Sequence, residues 1–150
     1  MTPDFNKYAA DGNKFLKEFA WEINLEGQTE KAGRILSATL HALRDIISLE
    51  ESVQLIAQLP AFLKAVYVIN WSLKKQKPKL HTIQEFIDLV KKHDHPFEDA
   101  DFESDDAMVE YYINGTFIYL QKYVSRGEME DIRDILPKDL KGIVHTWGNL

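Results

Sequence analysis

The sequence predicts an all-α protein of about eight helices, arranged as two tandem four-helix repeats packed into one globular domain, 1–150. Three observations lead there. Apolar side chains recur at three- and four-residue spacing in every patterned segment, and no stretch shows the strict alternation of a strand. Candidate breakers fall between those segments rather than inside them. The second half of the chain also reuses the signals of the first. The 150 residues are 45% hydrophobic and 28% charged, enough to fold one ordinary domain without a staple. The absence of cysteine excludes disulfides, thiolate catalysis and cysteine-ligated metals.

The elements follow in order. Thr2-Pro3-Asp4 reads as an N-cap, a first-turn proline and a carboxylate at the positive helix end. The helix it opens carries Tyr8, Phe15, Phe19 and Ile23 on one stripe, with Gly12 as its weak point. Thr29 caps a second helix, buried along Ile35, Leu36, Thr39, Leu40, Leu43 and Ile47. Ser48-Leu49-Glu50-Glu51 is a capping box that starts a short third helix: Ser48 accepts from the third helical amide and Glu51 reaches back to the serine N–H. Pro60 starts a fourth helix with Phe62, Leu63, Val66, Tyr67 and Trp71. Lys74, Lys75, Lys77, Pro78 and Lys79 then form a solvated linker. Thr82-Ile83-Gln84-Glu85 supplies another capping box, ahead of Phe86, Ile87 and Val90. Further on, Tyr111, Tyr112, Phe117, Tyr119 and Tyr123 spread around their helix, as a central helix or a partner-facing one requires.

Sliding the second half over the first places residues 29 to 64 on residues 106 to 141 without a gap, with eight of 36 pairs identical. Each matched residue has a geometric job. Ser48 and Ser125 with Glu51 and Glu128 are the two capping boxes; Pro60 and Pro137 start helices after Leu59 and Leu136. Thr39 with Thr116, Leu43 with Leu120, Leu63 with Leu140 and Lys64 with Lys141 complete the set. The repeats are expected at 3–72 and 82–148, joined by a Lys-rich linker at 73–81.

The run Ile35 to Ala42, the step Ala57-Gln58-Leu59-Pro60 and the aromatic-rich helix closing on Trp71 resemble the bacterial family known as domain of unknown function 2267. The resemblance covers nearly the whole chain. It implies an all-helical fold of about eight helices, of globin-like arrangement, and a bacterial cytoplasmic setting. No catalytic or binding residue comes with it. Ile135 stands where the pattern has glutamine before the second Leu-Pro, and the acidic insert 94–106 is atypical.

The chemistry legible in the residues is sparse. Net charge is −6, and all of the excess lies in the second half, with seven carboxylates between Asp94 and Asp106. Such a chain is repelled by phosphate backbones and anionic lipid, so no nucleic-acid partner is expected, and no apolar run reaches membrane-spanning length. Asp99, Asp101, Glu103, Asp105 and Glu110 match the ligand spacing of a calcium loop. Ser104 stands where that loop needs glycine and Asp106 where it needs an apolar residue, which favours a solvated linker with Ser104 as a helix cap. His93 and His95 flank Asp94 and are expected as loop histidines. No phosphate loop, nucleophile elbow or His-Glu-x-x-His motif is present, and no cofactor is implied. The expectation is a non-enzymatic helical interaction module binding another protein or itself, with Trp71, Tyr111 and Tyr119 as candidate partner surface. The alternative is a small-molecule or cation-binding domain, with a ligand between the repeats or a cation in the insert.

Overall fold

A computed structural model, describing residues 2–73 and 77–144, shows why one helix lies at the centre. Residues Thr29–Ile46 form α2, whose Ala32, Ile35, Ala38, Thr39, Leu40, Ala42 and Leu43 are all 0–2% exposed. Three alanines among seven such positions let neighbouring backbones approach closely. Around α2 lie α1 (Phe5–Glu22), α4 (Ala61–Val68), α5 (Ile83–Asp94) and α7 (Asp106–Leu120), each in contact with it. α3 (Leu49–Gln58) packs on α4 and on α8 (Arg126–Ile135), while α6 (Glu98–Phe102) joins α5 to α7. A 3-10 helix at Lys138–Ile143 ends the described chain against α5, α7 and α8. Among the described residues there is no strand.

Several matched positions do the same local work in both halves. α3 and α8 correspond residue for residue at their boundaries under the 77-residue offset. Ser48 and Ser125 are their N-caps, each accepting from the amide three residues on at 3.1 Å. Thr39 and Thr116 are fully buried and each donates to the carbonyl four residues back at 2.8 Å. Lys64 donates to the carbonyls of Ile56 and Ala57 that end α3; Lys141 does likewise to Arg133 and Asp134 at the end of α8. The packing corresponds as well. α1 touches α2, α4 and α7, and α5 touches α7, the 3-10 helix and α2.

Several local expectations shift. Asp4, not Thr2, caps α1, its carboxylate accepting from the Lys7 amide at 3.1 Å with Pro3 left outside the helix. Gln28 precedes α2 without a side-chain bond, and Thr29 is already helical. Asp105 caps α7 by accepting from Ala107 and Met108, while Ser104 takes a left-handed φ of 56°. Among the described residues only Thr82 and Glu85 complete both halves of a capping box. Pro137 starts a 3-10 turn rather than an α-helix, because Gly142 stands where the first half has Ala65 and lowers helix propensity. Lys74 and Lys75 lie outside the described residues. Lys77 donates to the Ile47 carbonyl, and Pro78 and Leu80 are half-buried, so this part of the expected linker rests on the body.

α1 ends in a reciprocal turn in which Leu25 N–H reaches Ala20 and Asn24 N–H reaches Trp21, with Asn24 in the left-handed region. Beyond it, Ile23 sits against Gly115 of α7 so closely that an added Cβ would lie 2.7 Å from the Ile23 Cγ2. That contact requires glycine. Gly127 in α8 has nothing within 4 Å of the same position. Gly115→Ala is therefore expected to destabilise by up to about 2 kcal/mol, since overpacking at ~1–3 kcal/mol outweighs ~1 kcal/mol of helix propensity. Gly127→Ala should stabilise by roughly 0.5–1 kcal/mol. Urea unfolding of both variants separates these; an equal gain in both would show that Ile23 yields freely.

Candidate functional site

Three places gather polar or recessed groups. The first lies where α3 meets α8. Because Ser48 and Ser125 orient the first turns of both helices, the third helical residue of each, Glu51 and Glu128, is directed into the contact between them. Asp131, one turn further along α8, joins them, and one ligand oxygen from each of the three lies within 4.8 Å of the others. Neither glutamate reaches back to its own cap. The Ser125 N–H instead donates to the Gln58 side-chain oxygen at 2.8 Å, which gives the glutamine of the Leu-Pro step a role across the contact. Glu128 is 5% exposed, and buried oxygens of Glu51 and Glu128 lack a hydrogen-bond partner. Burial first, then the Glu51 carboxylate, pushes Glu128 up to about 8.

The second place is the acidic insert, which is an ordered elbow. Arg34 of α2 grips Asp101 with two bonds of 2.9 and 2.8 Å and lies 4.4 Å over the Phe97 ring. Asp94, buried at the end of α5, faces Asp101. Burial and the neighbouring Asp101 carboxylate push Asp94 up to about 8, so Asp94 faces Asp101 in its protonated form. Asp101 is held below its ordinary range, the Arg34 bonds outweighing its own burial. The calcium-loop residues are thereby distributed to separate tasks: Asp101 pairs with Arg34, Asp105 caps α7, Asp99 and Glu103 are exposed around α6, and Glu110 is exposed on α7. His93 donates to Asp45 at 2.6 Å and His95 to Glu98 at 2.9 Å, so the two rings serve different partners.

The third place is a recess of about 340 Å³ between the ends of α2, α4 and α5. Leu49, Trp71, Leu73 and Leu89 supply apolar walls; Arg44, Lys77 and Lys92 supply cations, with Asp45 and His93 beside them. Arg44 is buried and donates to the carbonyls of Tyr67, Ile69 and Asn70, closing the end of α4. Lys92 is exposed and makes no ion pair among the described residues. Leu73 is 66% and Leu49 45% exposed.

Of the aromatic candidates, Trp71 is half-buried edge-on to Tyr67 and lines this recess. Tyr111 is 46% exposed, its hydroxyl accepting from Asn24 at 2.9 Å on another face. Tyr119 is enclosed, packing on Phe15 and Phe19 and donating to Glu18 at 3.0 Å. α7 is thus a central helix along most of its circumference. Neither the Glu51–Glu128 meeting nor the burial of Arg44 carries a signal in the local sequence.

A family model described as an uncharacterized conserved protein, DUF2267, matches residues 12–143 of the chain. No functionally curated protein matches it.

Asp94 supplies a pH test. In the unfolded chain it titrates near 3.8, whereas the folded protein holds its proton to about 8, so the native state binds the extra proton between those values. Its contribution to stability is complete below the lower value and is lost as pH rises through the upper one. Asp101 acts oppositely, losing its contribution as pH falls. Asp94→Asn, whose neutral amide can donate to Asp101, should raise the unfolding midpoint above pH 8 and flatten its fall between about pH 4 and 8. A shift of roughly 2–4 °C per kcal/mol makes this measurable by calorimetry; an unchanged pH profile would remove Asp94 from the account.

Proposed function

The chain belongs to the uncharacterized conserved family DUF2267, and from that premise we propose that it is a non-enzymatic helical interaction module. In this reading it is built from two related units, 3–72 and 82–148, and docks an acidic segment of a partner protein in the recess beside Trp71. The supporting observation is the recess itself: an apolar pocket with a lysine rim in a chain of net charge −6. Its volume accommodates one or two side chains, and its four apolar walls ask for an aliphatic or aromatic anchor. Lys92 and Lys77 at the rim ask for carboxylates flanking that anchor. A duplex or a bilayer offers anionic groups without an inserted side-chain anchor flanked by carboxylates. No described helix is long and apolar enough to cross a membrane.

The test is an amide-shift titration with a short peptide of alternating leucine and glutamate. It should perturb the amides around Trp71, Leu89 and His93 first, and Lys77→Glu with Lys92→Glu should weaken binding by about tenfold or more. A leucine-lysine peptide should leave these amides unmoved. Equal response to both peptides, or preference for phosphatidylserine vesicles or duplex DNA, overturns the reading.

A further inference from the structure

We infer that Glu51, Glu128 and Asp131 form a binding site for one hard divalent cation, of the calcium and manganese class, that ties α3 to α8. The three carboxylates come from two helices packed on each other, and their ligand oxygens converge within 4.8 Å. Opposite ligands across a calcium ion stand roughly 4.6–5.2 Å apart, so one ion can touch all three with little rearrangement. The donor set is oxygen alone, with no imidazole or thiolate, which selects hard cations over zinc or copper.

The second, independent observation is the state of Glu128. It is 95% buried by its 5% exposure, and its Oε1 has no hydrogen-bond partner; a buried oxygen of Glu51 is equally without one. A buried carboxylate oxygen without a donor is costly, and a like-charged neighbour raises the cost. Among the described residues none of the three carboxylates makes an ion pair. Arg126, at the start of α8, is bonded to Glu130 at 2.9 Å. Lys64 and Lys141 are bound to the carbonyls at the far ends of α3 and α8. Asp131 is exposed, so the cation enters from solvent on its side and keeps water in its remaining positions. Glu51 and Glu128 close the other side. Unlike Asp101 and Asp105 of the insert, which hold Arg34 and cap α7, these three neither pair with a cation nor cap a helix among the described residues.

The experiment uses the whole protein with two probes. Calcium chloride at millimolar concentration should raise the unfolding midpoint by several degrees over sodium chloride of matched ionic strength. Manganese should broaden the amides of residues 49–54 and 126–132 before any others. Both effects should vanish in Glu128→Gln/Asp131→Asn. Glu128→Gln keeps a donor toward Glu51 and Asp131→Asn is a surface change, so the single variants fold, and each should weaken manganese binding about tenfold or more. No calcium-specific rise would mean that the glutamates share a proton and nothing else, which overturns the inference. So would a rise that persists in the double variant, or broadening that begins at residues 94–106.

Discussion

Enclosing α2 on nearly all sides is the constraint from which the remaining packing follows. A helix buried around its circumference satisfies its backbone internally, so it tolerates neighbours wherever its side chains are small or apolar. Ala32, Ala38 and Ala42 provide the small positions, and α1, α4, α5 and α7 take the four flanks. α7 is the other largely buried helix, and α1 reaches it only because Gly115 removes the Cβ that Ile23 would strike. Surface elements such as α3 and α8 are then placed by what remains: they meet each other because α2 and α7, to which they are joined, already touch.

Placing similar segments about a common centre has an electrostatic consequence. Residues that play equal roles in two segments come face to face where those segments meet, so like meets like. For Leu or Ala this is harmless. For Glu51 and Glu128 it sets carboxylate against carboxylate in a buried contact, where repulsion and desolvation add. The second half resolves an equivalent problem differently at the insert: Asp94 faces Asp101, but Arg34 supplies the compensating charge and Asp94 keeps a proton. The contrast marks the α3–α8 cluster as carboxylates that make no ion pair among the described residues.

Local signals were readable where the interaction is local. Ser48, Ser125 and Thr82 each cap the helix their spacing announced, since a cap and its amide lie three residues apart. The reciprocal arms of the two serine boxes were not, because a glutamate can turn toward its own helix start or toward another helix, and only packing decides. Tyr119 shows the same limit. Its helix is aromatic on several faces, and whether a given face meets solvent, a partner or Phe15 depends on where α1 lies. The insert read as a charged linker because Arg34, which anchors it, is 67 residues away.

By itself the sequence determined the all-helical class, the helix starts at the serine and Thr82 caps, and the family, all of which depend on periodicity and short-range stereochemistry. Only the tertiary structure decided which carboxylates converge, which cations remain available at the Trp71 recess and which aromatic residues are enclosed. These are properties of groups distant in sequence, and their energies change sign with burial and with the identity of the neighbour, which no local pattern encodes.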